Sequence, residues 1–194
     1  MQAVKDANQS DVLYAFQRTG PPDTNPPVLT RLTLTGDDPD ELIAYYPFDG
    51  DARDVTGNGY DGTVNGATLT TDRFGNPSSA YGFDGTDDYI DVTALESALE
   101  MQQEGSISLW FKVDDLSEGR ALFYFSHDEP ESIFGTRTFL LMIADGKLRA
   151  MIRDSAINGS YPFFAWDVRG STVVTEGEWH HVVITHDGTA PTLY

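Results

Sequence analysis

Between residues 49 and 61 the chain gathers oxygen-bearing side chains, Asp49, Asp51, Asp54 and Asn58, around glycines at 50, 57 and 59. Calcium takes about six to eight oxygens from carboxylates, amide side chains and backbone carbonyls. Glycine lets a backbone curl its carbonyls inward. The spacing therefore predicts a structural Ca2+ site with Asp54, Asn58, Asp49 and Asp51 as ligands. The competing reading is a turn in which Asp and Asn hydrogen-bond their own backbone. A second acidic stretch, Phe83-Asp84-Gly85-Thr86-Asp87-Asp88, reads first as a turn leading into Tyr89–Val92, with Asp84 as its candidate metal ligand.

Other residue groups suit different chemistry. Tyr161-Pro162-Phe163-Phe164-Ala165-Trp166-Asp167, preceded by Asn158-Gly159-Ser160, is the densest aromatic cluster. Sugar rings stack on flat side chains while their hydroxyls seek polar partners. Tyr161, Trp166 and Asn158 are the candidate ligand contacts, and the remaining rings are expected in the core. Trp179-His180-His181 suggests a metal site, but adjacent strand residues face opposite ways. One histidine should pack inward and the other face solvent. Glycosidases on β-sandwiches carry paired carboxylates at alternate positions of one strand, facing the same groove, about 5 Å apart when retaining. Glu176 and Glu178 alternate, but Gly177 between them reads as a turn, and no serine elbow, phosphate loop or zinc motif is present. The expectation is a protein that is not an enzyme.

Charge narrows the partners. With 31 acidic and 12 basic residues in 194, the formal net charge is −19. Nucleic acid and anionic membranes draw on clustered Lys and Arg, so neither is expected as a partner. No run nears the roughly 18 apolar residues of a membrane helix, and membrane insertion is not expected. Cysteine is absent, which removes disulfides and thiolate chemistry. The polar start, Met1 to Ser10, does not read as a signal peptide.

The elements that must position these residues are strands. Ile107, Leu109, Phe111 and Val113 alternate with Ser106, Ser108, Trp110 and Lys112, a period of two. Leu42–Phe48, Ala121–Phe125 and Trp179–His186 are further strand candidates. Phe139–Ala144 and Lys147–Arg153 flank Asp145-Gly146, a two-residue hairpin signal. One short helix is expected near Ala94–Gln102. Residues 1–40 read as an arm: a proline-rich linker through Pro21, Pro22, Pro26 and Pro27, then a possible strand at 28–34. Residues 41–194 predict an all-β fold, a two-sheet antiparallel sandwich or jelly roll.

Several segments carry a family resemblance. They are Leu42–Gly50, Asp54-Val55-Thr56-Gly57-Asn58-Gly59, Gly62–Ala67, Asp72-Arg73-Phe74-Gly75, Phe83–Ile90, Ser106–Phe111 and Trp179–Val183. In this order they resemble laminin G-like, concanavalin A-like domains of bacterial surface proteins. The resemblance implies two stacked antiparallel sheets and recognition of a glycan or a surface protein. It also implies a bound calcium, with Asp54 and backbone oxygens near Asn58 as ligands, inside a larger extracellular, cell-surface or virion-associated protein. Such domains continue beyond the equivalent of Leu193-Tyr194. The expectation is therefore a fragment, or a sheet completed by the Val28–Leu34 strand or a neighbouring subunit. Self-association through the N-terminal arm or by strand addition follows as the alternative, a structural module of a fibre, sheath or virion.

Overall fold

The period-two pattern at 106–113 becomes β7 (Glu104–Lys112) in a computed structural model of the chain. The structure describes residues 28–35, 42–100, 104–116, 119–127, 136–155, 165–187 and 191–194. Leu109, Phe111 and the following Val113 are buried, while Ser108, Trp110 and Lys112 stand on the opposite, partly exposed face. Side chains alternate across a pleated strand, so this pattern sets one face to the core and the other to solvent.

β7 lies within a seven-stranded sheet. Its members are β1 (Val28–Thr35), β2 (Leu42–Tyr46), β4 (Thr68–Thr70), β5 (Ala80–Gly82), β7, β12 (Trp179–Asp187) and β13 (Pro191–Leu193). The order is β13-β12-β7-β1-β5-β4, with β2 also on the β5 flank of β1. A four-stranded antiparallel sheet faces it: β8 (Arg120–His127), β9 (Thr136–Ala144), β10 (Lys147–Ser155) and β11 (Ala165–Val173), in the order β11-β10-β9-β8. A small ribbon pairs β3 (Thr63–Asn65) with β6 (Tyr89–Asp91). The fold is the expected all-β sandwich.

The strand expected at 28–34 forms as β1 and sits inside the larger sheet, with Leu34 opposite Ile107 of β7 on one flank and Ala44 of β2 on the other. At its start Leu29 is opposite Tyr81 of β5. The Asp145-Gly146 hairpin joins β9 and β10, with φ of 52° and 68°. Two successive positive φ values suit the right-handed twist of the flanking strands. The short helix is α1 (Glu96–Glu100), entered through a 3-10 turn at Thr93–Leu95 whose Leu95 is buried.

The core lies between the sheets. Tyr46, Phe48, Phe83, Leu109 and Phe111 meet Leu122, Phe123, Leu141 and Ile143. Each such side chain contributes about 1.5–3 kcal/mol by leaving water. The Tyr46 hydroxyl, buried with its ring, donates to the Tyr60 carbonyl. That bond fastens the end of the Asp49–Asp61 loop to the core.

Candidate functional site

In the Asp49–Asp61 loop the oxygens do not converge on a common point. Asp54 is buried, 7% exposed. Its Oδ1 accepts the backbone N–H of Tyr45 at 3.0 Å and of Thr56 at 3.0 Å, while Oδ2 accepts that of Tyr60 at 3.4 Å. The Thr56 hydroxyl lies 2.8 Å from both oxygens. Burial works against the charged form of Asp54, but these hydrogen bonds outweigh it and hold its pKa below the usual carboxylate value. The negative charge is thus neutralised by donors of the chain itself, and a carboxylate so filled has few lone pairs left for a metal.

The other residues of that loop are similarly engaged. The Asn58 amide donates to the Leu42 and Ile43 carbonyls at 3.1 and 3.0 Å. Asp51 accepts from the Arg53 backbone at 3.0 Å and from its Nε at 2.7 Å. Asp49 accepts from the Ser79 hydroxyl at 3.2 Å, and Asp61 accepts the Asp54 N–H at 2.9 Å. The donor set fits a self-capped loop, and it does not fit a calcium cage.

The acidic stretch after β5 has the opposite character. Asp84, Asp87 and Asp88 each place a carboxylate oxygen within 4.8 Å of the others. Asp84 Oδ1 accepts the Thr86 N–H at 2.7 Å, and Asp88 Oδ2 accepts the Asp84 N–H at 2.8 Å. These bonds fold the loop but leave the second oxygens of Asp84 and Asp88, and both of Asp87, without protein donors among the described residues. Burial, and then the negative charges of Asp84 and Asp87, push the Asp88 pKa upward. A Cβ on Gly66 would lie 1.9 Å from Asp88 Oδ1, so only glycine there lets Asp88 reach this position. The oxygens present fit a hard divalent cation completed by water.

A third arrangement crosses the outer face of the larger sheet. His181 of β12 stacks on Trp110 of β7, its direct cross-strand partner, at 4.8 Å between ring centroids. His181 Nε2 is 2.8 Å from the Ser108 hydroxyl. From the β4–β5 loop, Arg73 places its guanidinium carbon 4.6 Å from the Trp110 centroid and 4.1 Å from that of Phe74. The turn carrying both is braced by Asp72, whose Oδ1 accepts the N–H of Phe74 at 2.8 Å and of Asn76 at 2.9 Å. Phe74 remains 73% exposed. Lys112, two residues along β7 from Trp110, lies 5.9 Å from the Trp179 ring.

The two histidines divide as the strand period requires. His181 faces out, whereas His180 stacks on buried Phe111 and its Nε2 accepts the Thr175 N–H at 3.0 Å. Glu176 and Glu178 flank a turn at Gly177, φ 76°, and Glu176 accepts the Leu116 N–H at 2.9 Å. Trp166, the second residue of β11, lies opposite Ile152 and is half-buried. Tyr161 and Asn158 lie outside the described residues. The Arg73–Phe74–Trp110 stack was not anticipated. Its sequence signal was an aromatic and a cation side by side in a glycine-containing turn, together with a tryptophan at an outward β7 position.

Searches of curated proteins and of solved structures found no match. A family model described as Concanavalin A-like lectin/glucanases superfamily matches residues 84–194, which take in the acidic corner, β7 and β12. The chain belongs to this laminin G-like family of the concanavalin A-like superfamily.

Proposed function

We propose that the chain is a non-catalytic recognition module that binds carbohydrate or a surface protein and is stabilised by calcium, within a larger extracellular or surface protein. The observation that carries this reading is Phe74, an aromatic ring left 73% exposed on a turn that Asp72 braces. Exposing a large apolar ring forgoes about 1.5–3 kcal/mol of burial, and loops held on rigid scaffolds are where binding residues concentrate. The family's membership of lectins and glucanases supports a carbohydrate partner. The Glu176 strap to Leu116 supports the non-catalytic reading, because it gives the one alternating glutamate pair weighed for catalysis a structural occupation. Calcium is assigned to Asp84, Asp87 and Asp88, whose free oxygens and mutual repulsion suit a cation. A glycan array probed with and without calcium tests the reading. Binding that Phe74→Ala abolishes without lowering Tm supports it; a folded protein that binds no glycan and no surface protein in either condition contradicts it.

A further inference from the structure

We infer that Arg73 and Phe74 form a subsite for a sugar bearing a carboxylate, of the uronic acid class; this rests on the recognition reading above and names its ligand. The chain has 31 acidic residues against 12 basic ones, so partners for an arginine are abundant. The other arginines whose side chains are described take them: Arg53 meets Asp51 at 2.7 Å, Arg120 meets Asp115 at 3.1 Å, Arg149 meets Asp167 at 2.5 Å and Arg169 meets Asp167 at 3.9 Å. Arg73 has no ion pair or hydrogen bond to a described residue. Neighbouring Asp72 is turned into its own loop, where its oxygens accept from Phe74 and Asn76.

Stacking decides what Arg73 can do. Its two close aromatic neighbours, Phe74 and Trp110, lie 4.1 and 4.6 Å from the guanidinium carbon and offer its N–H groups no acceptor oxygen, so those donors are left for an acceptor from outside. A planar fork of donors matches a carboxylate in two parallel hydrogen bonds. Held in place by rings, it loses little conformational entropy on binding. The exposed Phe74 ring supplies the second contact, a flat apolar surface for a pyranose face. A glutamate or aspartate of a protein partner would need the fork but not this ring, and the pairing therefore favours a sugar acid. Lys112 stands on the same outer face of β7 as Trp110 and adds a second cation. The net charge of −19 repels a long polyanion over roughly a 10 Å screening length at 0.1 M salt, so the fitting ligand is short or sparsely charged.

The test is calorimetric titration of the intact chain with a short galacturonate oligosaccharide and with its methyl ester. The expected result is binding of the acid at least about tenfold tighter than the ester, as charge-assisted hydrogen bonds require. Arg73→Gln should remove that preference and Arg73→Lys restore only part of it, with circular dichroism confirming folding of each variant. Equal affinity for acid and ester, or a preference that survives Arg73→Gln, overturns the inference while the recognition reading stands. Arg73-dependent binding of an acidic peptide in place of the sugar overturns it in favour of a protein partner. No binding to any of these or to a glycan array removes both.

Discussion

Two loops of this chain are built from the same ingredients, aspartates separated by glycines, and end in opposite electrostatic states. In the Asp49–Asp61 loop, Asp54 is surrounded by N–H and O–H donors and its pKa falls. In the Asp84–Asp88 corner, three carboxylates face one another and the pKa of Asp88 rises. Composition does not distinguish them; the number of donors that each carboxylate receives does. Asp54 has donors on both oxygens, so the protein supplies its own counter-charge. Asp84 and Asp88 each accept one backbone N–H, and their remaining oxygens are the ones given to the proposed cation.

The largest break in the comparison should come from Asp54→Ala. It removes the acceptor of the partly buried N–H groups of Tyr45 and Thr56, and each such loss costs about 1–3 kcal/mol. A fall in chemical-denaturation stability of about 3 kcal/mol is expected, of equal size with calcium or with chelator. Next comes calcium itself: at a hundredfold excess over its dissociation constant it should add about 2.7 kcal/mol to the wild type, read as a rise in Tm. Gly66→Ala follows. The added methyl collides with Asp88 Oδ1 at a residue whose φ is +76°, so about 1–2 kcal/mol is lost, and the calcium response should shrink with it.

The smallest effect concerns pH, and its sign differs between the loops. The lowered pKa of Asp54 means that its stabilisation is present above the unfolded value of about 3.9 and is lost as pH falls through the folded one. The raised pKa of Asp88 means that ionisation costs the folded state, so its contribution improves as pH falls from neutral through the folded value. Without calcium, Asp88→Asn should therefore gain on the wild type as pH rises from about 4 to 7. A difference curve that slopes the other way would contradict the assignment.

Local pattern carried much of the fold. The alternation along Ile107–Val113, the Asp145-Gly146 hairpin and the opposed His180 and His181 could be read because period and turn chemistry are properties of neighbouring residues. The occupation of Asp54 could not, since its Tyr45 donor arrives from β2 and depends on how the loop folds back. The same holds for Arg73. Its contact with Trp110 carries the β4–β5 loop across the intervening β1 to β7, a juxtaposition that neither segment marks locally. The Asp84 corner was half visible: its aspartates were noted, but their convergence depends on Gly66 of a different turn.

The most direct measurement is the calcium-induced change in Tm for the wild type, Asp87→Asn and Asp54→Asn. Asp87 makes no internal hydrogen bond with a described residue, so its substitution alters the cation site with little other disturbance. The account predicts that Asp87→Asn keeps its melting temperature in chelator but loses most of the calcium shift. Asp54→Asn should melt lower and keep the shift. A calcium shift that disappears in Asp54→Asn and persists in Asp87→Asn would contradict it.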